Sequence, residues 1–201
     1  MDEFIIPRTL AKGRSYVYLL PCRDQDLLKI GFSREPLVRF RTLHRRFFDY
    51  FDLERGLLME VDRVAQARAI ERDILLRHTE ERSPAPLVIA DRAAGYSEWL
   101  RGVEPEVSAR LREWAARDGH AIHVLRDWVR QMFEAQMDRL YDWSLRMLDA
   151  IEYEAFNVPE AFATGQAARS LCYAMDACES VGIDLRKVFP DAVLAWRTRR
   201  P

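Results

Sequence analysis

The chain has 201 residues, 49% of them hydrophobic, with a formal net charge of −1. That is enough apolar material for one large domain or two small ones, each with a core, and it excludes a disordered chain. No apolar run reaches the roughly 18 residues of a membrane span, and the opening MDEFIIPRTL carries acids where a signal peptide carries bases, so a soluble, cytoplasmic protein with no membrane partner is expected.

Residues 15–20 (SYVYLL) and 27–32 (LLKIGF) are short apolar runs rich in aromatic and β-branched side chains, joined by the polar PCRDQD. They predict an antiparallel hairpin. Pro36 suits the first turn of a helix, and PLVRFRTLHRRF would align Leu37, Phe40, Leu43 and Phe47 on one face. Between Lys29 and Arg46 stand the cations Lys29, Arg34, Arg39, Arg41, Arg45 and Arg46, the ionisable His44 and the single acid Glu35, a stretch suited to meeting phosphates. Residues 55–62 (RGLLMEVD) predict a third strand, and Ala67, Ile70, Ile74 and Leu75 a second helix from Val64 to about Glu81, ended by SPAP.

A boundary is expected near Gly102 to Pro105. Residues 1–103 hold 18 cations against 16 acids, whereas residues 104–201 hold 13 against 16. Beyond it the pattern is helical throughout. Leu125, Trp128, Phe133, Leu140, Tyr141, Leu148 and Ile151 predict one long amphipathic helix from about His120 to Glu154. Asn157 and Pro159 mark a stop and restart, another helix runs to about Ser180, and a short one closes the chain near Pro190 to Thr198. Cys22, Cys172 and Cys178 are scattered, which suggests neither a disulfide framework nor a zinc cluster.

Val17-Tyr18, an interval of eleven residues from Tyr18 to Lys29, and then Lys29-Ile30-Gly31 resemble the paired signature of the GIY-YIG nuclease superfamily, in its phage and bacterial branch. Arg39, eight residues beyond Gly31, is similar to that family's helical arginine. Glu71 in AIERDILLRH is similar to its metal-binding glutamate, and GYSEWL at 95–100 to its closing stretch. The resemblance covers residues 14–101 and none of the second half. It departs where Ser15 or Tyr16 stands in place of the first Gly and Lys29 in place of the second Tyr, and Glu98 stands where several relatives have a closing Asn.

The resemblance implies an α+β fold in which a small antiparallel three-stranded sheet flanked by helices is followed by an all-α domain. Residues 1–103 would be a nuclease domain, and residues 104–201 a helical domain for targeting, dimerisation or partner docking. It implies a Mg²⁺- or Mn²⁺-dependent endonuclease acting on DNA. Glu71 would bind the metal, Arg39 would hold the scissile phosphate, and Tyr18 would orient or deprotonate the attacking water, its phenol pKa lowered by cations such as Lys29. Arg34, Arg41, His44, Arg45 and Arg46 would contact the nucleic acid. Gly31 would admit close approach of substrate or helix, and Trp99 would close the domain. Trp128, Phe133, Tyr141 and Trp143 are candidates for a homodimer seam, with a bundle core as their plainer role. A catalytically weak binding module of this fold, or a toxin or defence nuclease held by a regulatory protein, are the competing expectations.

Overall fold

The computed structural model describes residues 14–89 and 98–199. The protein is α+β and divides into a sheet-bearing unit that ends at Trp128 and a helical unit that begins at Val129. Among the described residues no helix is long and apolar enough to cross a membrane.

The expected hairpin forms from β1 (Ser15–Pro21) and β2 (Leu27–Ser33), with Tyr18 opposite Gly31 and Leu20 opposite Lys29. On the other side of β1 lies β3 (Leu57–Val61). The sheet has five strands rather than three. The short β4 (Trp99–Arg101) pairs with the outer edge of β2 and β5 (Ile122–Val124) with that of β3, giving an antiparallel order β4-β2-β1-β3-β5. Both additions are three residues long, and their registry comes from backbone pairing, which leaves little trace in an apolar pattern.

Alternation sorts the strand residues onto two faces. Val17, Leu19, Leu28, Ile30, Leu57 and Met59 join one core with Ile70 and Ile74 of α3 (Val64–Arg77) and with Val107 and Leu111 of α4 (Glu104–Asp118). The opposite face carries Tyr16, Tyr18, Lys29 and Gly31. There Phe40 of α1 (Pro36–Leu43) meets Tyr18 edge-on at 5.2 Å, and Trp128 lies 5.8 Å from Tyr16.

The first helix is shorter than expected. It stops at His44, whose backbone is extended, and the chain restarts as α2 (Phe47–Tyr50). Phe47 and Phe48 are consecutive and both buried, which one helical stripe cannot achieve, because adjacent positions differ by about 100° around the axis. The second helix ends at Arg77 rather than near Glu81, because residues 81–83 run beside β4: the Ser83 amide donates to the Trp99 carbonyl at 3.0 Å and the Arg101 amide to Glu81 at 2.9 Å.

The single long helix expected from about His120 to Glu154 is three elements. β5 is followed by α5 (Leu125–Glu134) and, after a break at Gln136, by α6 (Met137–Asn157). The strand signal therefore extends past Gly102, and α4 and β5 belong with the sheet, so the chain divides at Trp128. Within the helical unit, α6 packs on α7 (Ala161–Thr164), α8 (Gln166–Ser180) and α9 (Asp191–Arg199), burying Leu148, Ile151, Leu171, Met175 and Trp196. Gly182, with φ +78, ends α8 in the left-handed conformation that glycine adopts without steric cost. Trp128, Phe133 and Trp143, candidates for a dimer seam, are buried within the chain, while Tyr141 is exposed.

Candidate active site

Tyr18 occupies the middle strand of the sheet and is 1% exposed. Its ring lies across β2 over Gly31, where an added Cβ would stand 2.4 Å from the phenol oxygen and 2.6 Å from Cζ. Glycine is required at 31 because the tyrosine ring fills the space of a side chain, which differs from the expected approach of substrate or helix. Phe40 holds the ring from the α1 side. The next residue back on α1, Arg39, donates from Nε to the Tyr18 hydroxyl at 3.3 Å.

Lys29 sits two residues from Gly31 on the same face and is fully buried. Its Nζ lies 5.2 Å from the centroid of the Trp99 ring, its cross-strand partner, and donates to Glu98 Oε2 at 2.6 Å. Glu98 is held by its own backbone, whose carbonyl accepts from the Ile30 amide at 3.1 Å. Among the described residues the pairing of β4 with β2 runs from Leu27–Arg101 to Lys29–Trp99, and the Ile30–Glu98 bond continues it.

Glu71 is carried by α3 between the buried Ile70 and Ile74 and is itself half-buried. Burial, and then the negative charge of Glu98, push its carboxyl up to about 7, against the opposing fields of Lys29, Arg68 and Arg39. Tyr18 is pushed up to about 12, first by burial, with Arg39's charge and hydrogen bond pulling it down and Glu98 and Glu71 pushing it further up. The expected lowering does not occur, because desolvation of a buried phenolate outweighs one guanidinium. Lys29 is lowered by burial, with Glu98 opposing. Tyr18, Lys29, Arg39, Glu71 and Glu98 thus lie within a shared electrostatic field, and Tyr18–Arg39 and Lys29–Glu98 are joined by hydrogen bonds.

His44 and Arg46 have partners of their own. His44 stacks on Tyr50 at 4.6 Å, and Arg46 pairs with Asp49 at 2.5 Å and lies over the Phe48 ring. Arg34 and Arg45 are exposed and Arg41 half-buried. Trp99 is fully buried, and positions 95–97 of the closing stretch lie outside the described residues. The residue that sequence reasoning undervalued is Glu98, noted only as a stand-in for a closing Asn. The Glu-Trp order at 98–99 was its sole signal, since its partner Lys29 is 69 residues away.

Among the described residues no group of three or more His, Cys, Asp or Glu is placed to hold a metal ion. The negative charge of Glu98 acts on the half-buried carboxyl of Glu71. Comparison of the chain with known protein families, with curated proteins and with solved structures finds no match.

Proposed function

We propose that the sheet-bearing unit is a metal-dependent endonuclease of the GIY-YIG type that hydrolyses phosphodiester bonds in DNA. The observation that carries this reading is the hydrogen bond from Arg39 to Tyr18 within the field of Glu71: a guanidinium, a phenol and a carboxylate from three separate elements.

Phosphodiester hydrolysis needs an oriented water, neutralisation of charge on the phosphoryl oxygens, and stabilisation of a poor leaving alkoxide. Burial pushes its pKa up to about 12, so Tyr18 is a neutral phenol at pH 7. It therefore orients water rather than deprotonating it. Arg39 uses Nε on that phenol, leaving the terminal nitrogens of its fork for a phosphate oxygen. Lys29, neutralised by Glu98, positions that carboxylate beside the site. Glu71, with Glu98 near in charge, would hold Mg²⁺ or Mn²⁺, which when bound supplies Lewis-acid stabilisation of the phosphoryl and leaving oxygens. A carboxyl poised near 7 is also one whose ionised form a cation favours strongly.

The helical unit is read as a docking module for a second copy or a regulatory protein. In its support, α6 presents Tyr153 and Phe156 at 74% and 88% exposure.

A second reading, a catalytically weak nucleic-acid or protein binding module, is favoured by the burial of Tyr18 and Lys29 at 1% and 0% exposure, which keeps both from bulk substrate. Incubation of the full chain with supercoiled plasmid and Mg²⁺ or Mn²⁺ separates the two. The nuclease reading expects metal-dependent nicking that Glu71→Ala reduces at least about 10³-fold with circular dichroism unchanged, and that Arg39→Ala and Tyr18→Phe also reduce. Undiminished nicking by Glu71→Ala would remove that residue's role, and binding without nicking by the unaltered chain would establish the second reading.

A further inference from the structure

The outer surface of α3 carries two exposed cations, Arg68 and Arg72. Arg68 and Arg72 are one helical turn apart and exposed, and neither makes an ion pair among the described residues. Neighbouring arginines are engaged: Arg77 and Arg110 hold Asp73 at 2.9 and 3.6 Å, and Arg117 holds Asp118 at 2.7 Å. Arg68 and Arg72 border a shallow hollow of about 380 Å³ that also takes in Ala65, Ala69, Leu76 and Asp73. Asp73, its one acid, is neutralised by its two guanidinium partners, so the hollow keeps a positive field. The alanines beside the arginines add nothing beyond a methyl group, which lets a bulky backbone come close.

Arg68 is also held in place. Its guanidinium lies 5.8 Å from the centroid of the Phe32 ring on β2, a contact that limits its rotamers without occupying its donors. One turn of helix separates it from Glu71, on whose carboxyl its charge acts. Around the axis the order runs Glu71, Arg68, Arg72, Ala65, from the half-buried edge to the open face.

We infer that Arg68 and Arg72 form a phosphate track on α3, which carries the nucleic-acid backbone past the Glu71 edge and fixes the strand flanking the cut. The inference rests on the nuclease reading and extends it to residues outside the arginine-rich segment 34–46. Guanidinium contacts to phosphate carry no base information, so the track acts on affinity and its salt dependence rather than on sequence choice.

The test is fluorescence anisotropy of the full chain in EDTA with a labelled 20-base-pair duplex over a range of NaCl, beside plasmid nicking in Mg²⁺. A second anisotropy arm uses a labelled poly-glutamate peptide. Arg68→Ala with Arg72→Ala is expected to weaken duplex binding about tenfold or more and to flatten the slope of log K against log salt by about 2. Arg112→Ala on the exposed side of α4 should change neither, and poly-glutamate should bind far more weakly than duplex. Because both arginines are exposed, a thermal melt of the double variant should match the unaltered chain. Persistent nicking with affinity and slope unchanged in the double variant overturns the track and spares the nuclease reading. Poly-glutamate bound as tightly as duplex, with the same loss on substitution, assigns the surface to an acidic peptide and overturns it too. If the unaltered chain neither binds nor nicks DNA, both readings fall together.

Discussion

The two units treat buried polarity in opposite ways. In the sheet-bearing unit Lys29, Ser15 and Ser83 are buried, and the ammonium of Lys29 is answered by Glu98 from 69 residues further along. In the helical unit Ser144 is the buried polar side chain among the described residues, and its hydroxyl donates to the Tyr141 carbonyl one turn back at 2.7 Å. A polar group satisfied by its own helix asks nothing of the rest of the chain. One satisfied at long range fixes where distant elements meet, and the charges of Arg39 and Glu71 act on this pair's lysine.

Substitutions should separate the two kinds of burial by size of effect. Glu98→Leu takes the Glu98 carboxylate from the buried Lys29 ammonium, and should lower stability by about 3 kcal/mol in urea unfolding at pH 7. Adding Lys29→Met should recover most of that loss, whereas a loss below about 1 kcal/mol for Glu98→Leu would mean that the pair organises nothing. Next in size, Gly31→Ala puts a methyl group inside the Tyr18 ring and should cost about 2 kcal/mol. In a Tyr18→Ala background the same methyl group has room, and its cost should fall below about 0.5 kcal/mol in the double-mutant cycle.

A smaller effect, and one that depends on pH, belongs to Glu71. Its folded-state pKa is raised, from an ordinary 4.5 to about 7, so the folded protein binds the proton more tightly than the unfolded chain does. Stability therefore declines as pH rises from about 4.5 to about 7, and the full penalty is present above that window. Glu71→Gln removes the ionisation. It should be more stable than the unaltered chain at pH 8 by about 1 kcal/mol, after allowance for solvent screening of a half-exposed group, with the advantage vanishing near pH 4. A difference that stays constant with pH would contradict the raised carboxyl. Smallest of all, Ser144→Ala should change stability by less than about 0.5 kcal/mol, because the carbonyl it releases lies within a helix and keeps its backbone partner. A large loss there would erase the contrast between the units.

The hairpin, the Pro36 helix and the Glu71 helix were legible because each is a local pattern: alternation bounded by a polar turn, a proline at a helix start, and apolar positions three and four apart. The stop at Asn157 and the helix to Ser180 were legible for the same reason. Trp99–Arg101 and Ile122–Val124 were not, since three residues are too few to show a period and their strand identity is conferred by the neighbour they pair with. The break at Gln136 was hidden because Phe133 and Leu140 lie seven apart, and the apolar stripe continues across the interruption. For the site, Tyr18 and Arg39 were chosen by order and interval, and they touch. The cations near the Tyr18 phenol are visible in the sequence, whereas the desolvation that outweighs them is a property of the folded interior.

The seat of the Tyr18 ring over Gly31 ties the chemistry of two positions together. A larger residue at 31 is tolerable only with a smaller one at 18, so among descendants of this chain the two sites should drift as one event or remain still. Since they face each other across one short hairpin, a few dozen nucleotides of gene carry the whole constraint.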